Sequence, residues 1–185
     1  NENGRVADRG FVTIDGTTYY YLDGAYATGE QQINGQGYYF KKTGALVKNS
    51  WLTLADGRRV YAGEVGAFVT GEQWIGGKGF YFKKTGALVA KAWITLADGK
   101  VYTGVDGAFL MGYQVMDGKK YLFDEKGRST EGFVTISGTT YYLRDGAFLA
   151  GEQWIGSQGY YFKKAGNLVK NAWITLSDGK VYCGE

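Results

Sequence analysis

The sequence predicts an all-β chain, a repeat solenoid of stacked β-hairpins with no significant helix. Three observations carry that expectation. A pattern of about twenty residues recurs along the whole of the 185-residue chain. Gly-containing turn dipeptides fall at a fixed place inside each copy. Apolar residues nowhere recur at the three-and-four spacing of a helix face. The clearest copies lie side by side at residues 71–111, GEQWIGGKGFYFKKTGALVAK followed by AWITLADGKVYTGVDGAFLM. Self-similarity at a short fixed period reads as an array of supersecondary units, each unable to bury its apolar face alone.

In chain order, residues 1–9 (NENGRVADR) read as the tail of a unit. Units then run 10–28, 29–49, 50–70, 71–91, 92–111, 112–131, 132–150 and 151–171, with a partial unit at 172–185. The whole of 1–185 is thus expected to be a single repeat array, and ends that fall inside a unit suggest a piece of a longer polypeptide. A larger period lies above the short one. FVTIDGTTYY from Phe11 returns as FVTISGTTYY from Phe133, 122 residues on, and its flanks return with it. A block of about six units has been duplicated, which suits a rod better than a globular catalytic domain.

Within a unit, an alternating run such as Trp93-Ile94-Thr95-Leu96 leads into a turn and Lys100-Val101-Tyr102 leads back, the pattern of a hairpin. Asp98-Gly99 is expected to supply a type I′ turn, as are Asp15-Gly16, Asn34-Gly35, Asp56-Gly57, Asp117-Gly118 and Asp178-Gly179. A second turn is expected at Gly24, Gly44, Gly66, Gly86, Gly107 and Gly146, each followed by Ala. One hairpin is marginal in water and must stack on the next. Alternation sends Tyr38 and Phe40 to one face and Tyr39 to the other, with one face the core and one the groove.

Composition narrows the function. The chain has 31 Gly, no Pro, no His and one Cys, with a net charge of +3. Without His, the Ser-His and Cys-His arrangements and His metal sites are excluded, and no cofactor is expected. Glu30, Glu72 and Glu152 recur at equivalent places, whereas an active site is singular, so no catalysis is expected from these residues. Cys183, standing where sister units have Thr103 and Ala62, reads as a small residue. The mild, mixed charge gives no nucleic-acid footprint, and no apolar run of 18 residues is present to span a membrane. The pairs Lys41-Lys42, Lys83-Lys84, Lys119-Lys120 and Lys163-Lys164 read as solvated turns with a weak pull on polyanions.

The pattern G-[WF]-x-T-I-x-G-x-x-Y-Y-x-x-x-G-A resembles the cell-wall-binding repeat superfamily over essentially the whole chain. That superfamily includes choline-binding modules, glucan-binding repeats of glucansucrases and clostridial toxin repeats. The resemblance implies a secreted or surface module of a Gram-positive bacterium, non-catalytic and usually attached to an enzyme or toxin. In choline-binding members an aromatic cage between hairpins holds the trimethylammonium, whose charge is drawn to ring faces. Trp51, Trp93 and Trp173 match the first cage position. The second, just before the aromatic run, holds Thr18, Arg59, Lys100 and other non-aromatic residues, so no intact choline box is present.

Units opening with Trp (51, 93, 173) interleave with units opening with Glu (30, 72, 152). In two Glu units a Trp follows two residues later, on the same strand face. These are Glu72 with Gln73 and Trp74, and Glu152 with Gln153 and Trp154. An indole offers a platform for a pyranose face, and a carboxylate accepts hydroxyl protons. The ligand-binding candidates are therefore Trp51, Trp74, Trp93, Trp154, Trp173, Glu72, Glu152, Gln73, Gln153, Tyr81 and Tyr161. The expected partner is a cell-wall polysaccharide, a glucan or a teichoic acid, with choline as one alternative and a structural stalk without small ligand as another.

Overall fold

The computed structural model describes residues 9–185, and the tail of a unit expected at residues 1–9 lies outside them but for Arg9. The described chain forms β-hairpins and no helix. It divides into two compact units. One holds the residues up to Lys91 with Val105–Ala108, and the other holds Ala92–Gly104 with Phe109–Glu185.

The first unit carries four hairpins, in order Arg9–Ile14 with Thr17–Leu22, Gly29–Ile33 with Gln36–Phe40, Ser50–Thr53 with Arg59–Ala62, and Gly71–Ile75 with Lys78–Phe82. The second unit carries five. They are Ala92–Leu96 with Gly99–Thr103, Gly112–Met116 with Lys119–Phe123, Gly132–Ile136 with Thr139–Arg144, Gly151–Ile155 with Gln158–Phe162, and Ala172–Leu176 with Gly179–Cys183.

The turns that close these hairpins differ in type. At Asp15-Gly16, Asn34-Gly35 and Asp117-Gly118 both central residues have positive φ (47° and 76°, 52° and 78°, 49° and 73°), the type I′ geometry expected. Ser137-Gly138 joins them with 49° and 76°. Asp98-Gly99 and Asp178-Gly179 do not. There Leu96 pairs with Gly99 and Leu176 with Gly179, so the loops are Ala97-Asp98 and Ser177-Asp178 and each Gly has moved to the closing position. Among the described residues, Ala97, Asp98, Ser177 and Asp178 are absent from those with positive φ. Gly at the fourth position is what a type I turn favours. Asp56-Gly57 also departs from type I′. One extra residue lengthens that loop, which closes through Leu54 N–H to the Arg58 carbonyl (2.8 Å) and Gly57 N–H to the Leu54 carbonyl (3.0 Å).

After each hairpin but the last the chain turns at a left-handed Gly, such as Gly44 (φ 82°) and Gly66 (φ 85°), as expected. The short tail that follows joins two hairpins. Leu46 N–H donates to the Thr18 carbonyl of the preceding hairpin (2.8 Å), while Val47 N–H donates to Tyr39 of its own (2.9 Å). Phe68 to Gly37 (2.7 Å) and Leu88 to Arg59 (2.8 Å) repeat the link. In the second unit Ser129 to Lys100 (2.7 Å) and Leu168 to Thr140 (2.8 Å) do the same. The backbone groups that a lone hairpin would leave unpaired are satisfied by its successor's tail.

The core is the face carrying Tyr38 and Phe40. Phe40, Phe82 and Phe162, the last residue of three aromatic runs, are fully buried, as are Val60 and Val101 in the intervening hairpins. Each buried Phe contributes roughly 1.5–3 kcal/mol relative to exposure. Gly37 is required by this packing, because a Cβ there would stand 2.4 Å from the Phe68 ring.

Candidate ligand-binding grooves

Register sets the grooves. The second residue of each repeat unit faces the middle residue of its aromatic run: Phe11 opposite Tyr20, Trp51 opposite Tyr61, Trp93 opposite Tyr102, Phe133 opposite Tyr142. Each such pair then meets a ring from the next hairpin. In the first unit Phe11 lies 4.9 Å from Tyr20 and 5.3 Å from Tyr38 between ring centroids. Trp51 lies 5.3 Å from Tyr61, 5.0 Å from Phe80 and 5.7 Å from Phe82. In the second unit Trp93 lies 5.3 Å from Tyr102, 5.6 Å from Tyr121 and 5.7 Å from Phe123. Phe133 lies 4.8 Å from Tyr142 and 5.2 Å from Tyr160.

This arrangement explains the alternation of unit types. A hairpin opening with Trp or Phe is followed by one whose aromatic run supplies the partner ring. A hairpin opening with Glu30 is followed by one that offers Val60 instead, and the carboxylate takes an ion pair. Arg58 donates through Nη2 to both Glu30 oxygens, at 2.9 and 2.8 Å, and through Nε to Asp56. The side-chain hydrogen bond from Arg58, joined by that of its backbone N–H, holds the Asp56 carboxyl below the usual carboxylate range. Asp56, ahead of Glu30, holds the guanidinium up in turn.

Above the rings the rims are polar. The Trp93 groove is an open cleft of about 490 Å³ lined by Trp93, Thr95, Lys100, Tyr121, Arg144 and Asp145, with Ala147 and Leu149. Lys100 Nζ lies 2.6 Å from Asp145 Oδ1 across it. The Phe11 groove, about 450 Å³, has Tyr38 as partner ring, Lys48, Thr18 and Glu64 on its rim, and Lys48 Nζ 3.2 Å from Thr18 Oγ1. At the Trp51 cluster, Arg59 places its Cζ 4.9 Å from the indole centroid.

Of the sequence candidates, Trp51 and Trp93 are each brought into a cluster with three further rings, with Trp93 41% exposed. Trp173 stands over Tyr182 at 5.4 Å and is 69% exposed. Trp74 and Trp154 are solvent-facing at 48% and 67%, on the strand face that also carries Glu72 and Glu152. Trp154 lies over Gly159, its cross-strand partner. Gln73 and Gln153 sit between them on the opposite face. Their amides donate to the Thr70 and Ala150 carbonyls at 2.9 Å, a brace that Gln31 and Gln114 repeat. Tyr81 and Tyr161 pair across the strands with Glu72 and Glu152. The rings that complete the clusters, Tyr38, Phe80, Tyr121 and Tyr160, were not singled out in the sequence. The signal for them was the first position of each aromatic run, two residues before the buried Phe.

No group of three or more His, Cys, Asp and Glu residues is placed to hold a metal ion among the described residues. No described helix is long and apolar enough to cross a membrane.

The sequence matches the family model of the cell wall binding repeat at residues 10–24, 31–46 and 131–146. Over those three stretches the chain resembles that repeat. It is 43% identical to glucosyltransferase-I of Streptococcus downei over 54 residues, 29% of this chain and 3% of that enzyme. Among solved structures, the choline-binding domain of CbpL from Streptococcus pneumoniae superposes with a TM-score of 0.73 at 23% identity, covering 95% of this chain and 93% of that one. CbpJ of the same organism gives 0.71 at 22% identity, over 86% of this chain and 57% of its own. Choline binding protein F in the presence of a peptidoglycan analogue gives 0.69 at 23%, over 88% and 60%. At these identities the likeness is one of fold.

Proposed function

We propose that this repeat array is a non-catalytic binding module of a secreted or surface protein, and that its aromatic grooves hold a cell-wall or related glycan multivalently. One observation carries the reading: Trp93 and Tyr121, from successive hairpins, meet at 5.6 Å beneath a rim of Lys100, Arg144 and Asp145. Rings at that separation touch, so no slot between them takes a cation and a ligand must lie along the outer faces. A pyranose suits such a surface. Its C–H face lies on the rings, and its hydroxyls reach the ammonium, guanidinium and carboxylate of the rim. Each groove is shallow and weak alone. Several grooves on one glycan chain raise the local ligand concentration, so avidity grows with repeat number. The exposed Trp74 and Trp154, beside Glu72 and Glu152, extend the same kind of platform.

The second reading is a quaternary ammonium such as choline on the ring faces: the Arg59 guanidinium over Trp51 supports it only in that such a face attracts a cation, and at Trp51 that place is taken. Co-sedimentation with purified Gram-positive walls and with insoluble α-glucan separates the readings. Glycan binding predicts retention on the polymers, undiminished by excess choline and weakened in the Trp93→Ala, Tyr121→Ala double variant. Elution by choline would favour the second reading. Failure to sediment with either polymer would leave a stalk.

A further inference from the structure

At the four aromatic clusters, the sister position pairs across its hairpin with a Thr: Thr18 with Thr13, Arg59 with Thr53, Lys100 with Thr95 and Thr140 with Thr135. Thr18 and Lys100 line the clefts over the Phe11 and Trp93 clusters, and Arg59 lies on the Trp51 ring. Two are neutral and short, and two are cationic, but the two cations do different things. Lys100 carries its ammonium to Asp145. Arg59 lays its guanidinium on the Trp51 ring and donates from Nη1 to the Asp106 carbonyl at 3.1 Å. The neighbouring charges are the Asp106 carboxylate and Lys78, themselves 3.8 Å apart. With Tyr61, Phe80 and Phe82 packed against Trp51, the guanidinium covers an outer face of the indole that an external cation would use.

We propose that Arg59 is the specificity-determining residue of the Trp51 groove, an internal cation that occupies the ring face and rejects quaternary ammonium ligands there. This rests on reading the aromatic clusters as ligand sites. Arg59 is tethered at Trp51 and holds a second anchor on the Asp106 carbonyl. A tetraalkylammonium has no N–H donor with which to replace that anchor, so it competes at a disadvantage. Replacing Arg59 by Thr, the residue this chain uses at Thr18 and Thr140, uncovers the indole without asking the fold for anything new.

The test follows the five indole N–H resonances by two-dimensional NMR, with Trp51 assigned from Trp51→Phe, during titration with tetramethylammonium chloride against a sodium chloride control. In the wild type the Trp51 resonance is expected to stay put. In Arg59→Thr it is expected to move saturably, with an apparent affinity about tenfold or more above the wild type. Equal responses in the two proteins, or a folded Arg59→Thr protein whose Trp51 resonance does not move, would overturn the proposal. A measurement without a variant guards against misfolding: the Arg59 side-chain protons should be shifted upfield by the Trp51 ring current, and ordinary random-coil shifts would overturn it equally. Wild-type binding to wall glycan, measured separately, reports on the groove reading itself, so the two failures are distinguishable.

Discussion

Arg58 grips both oxygens of Glu30, at 2.9 and 2.8 Å, from a hairpin loop that has gained a residue. Sister loops read ADGK or SDGK where this one reads ADGRR, and the inserted arginine ties the third hairpin to the second. Both side chains are 30% exposed, which limits the strength of the pair. Glu30→Gln and Arg58→Ala are each expected to cost about 1 kcal/mol, with a coupling of roughly 0.5–1 kcal/mol in a double-mutant cycle that shrinks at high salt. Urea denaturation of the four proteins measures it.

Acid should weaken the fold through two turn aspartates. Arg58 holds Asp56 below its ordinary value of 3.8, and the Arg128 side-chain hydrogen bond does the same for Asp98. A carboxyl depressed in the folded state binds protons more readily when unfolded. Its stabilisation is therefore whole above about pH 3.8 and fades as pH falls towards the lower folded value. Melting temperature against pH should drop on the acid side, and Asp56→Asn with Asp98→Asn should flatten that limb while leaving neutral pH the more affected relative to wild type.

Gly66 faces two penalties on substitution. Its φ is 85°, and an added Cβ would stand 2.6 Å from Leu46 Cδ2. Gly66→Ala is expected to lose about 1–3 kcal/mol, whereas Gly184→Ala, whose Cβ would meet nothing within 4 Å, should change little. Thermal melts followed by circular dichroism decide between them.

Phe82 is a core test of the same stacking. It is 1% exposed and shares its cluster with Phe80 and Ala108. Phe82→Ala should cost about 3–5 kcal/mol. A value near zero would mean that the aromatic run is not what holds these hairpins together.

The hairpins were legible because the period, the Gly positions and the alternation of Tyr38, Tyr39 and Phe40 all act locally. The turn types were less so. Asp-Gly reads alike in Asp117-Gly118 and Asp98-Gly99, yet register places the second Gly one step later, and register depends on where both strands end. The site was half legible. Trp51 and Trp93 stood out by type, but Phe80 and Tyr121 looked like any other members of an aromatic run. Only the stacking of the next hairpin shows that these rings, and not Tyr81, close the clusters. Gln73 looked like part of a sugar site because it lies between Glu72 and Trp74. Alternation puts it on the other face, where the Thr70 carbonyl takes its amide.

The central claim is that the aromatic grooves bind glycan, and tryptophan emission titrated with solubilised cell-wall glycan tests it most directly. The wild type should show a saturable change that survives excess choline and falls at least about tenfold in affinity in Trp93→Ala, with a smaller loss in Trp154→Ala. Emission that ignores glycan in the wild type, or a response unaltered by Trp93→Ala, would contradict the account.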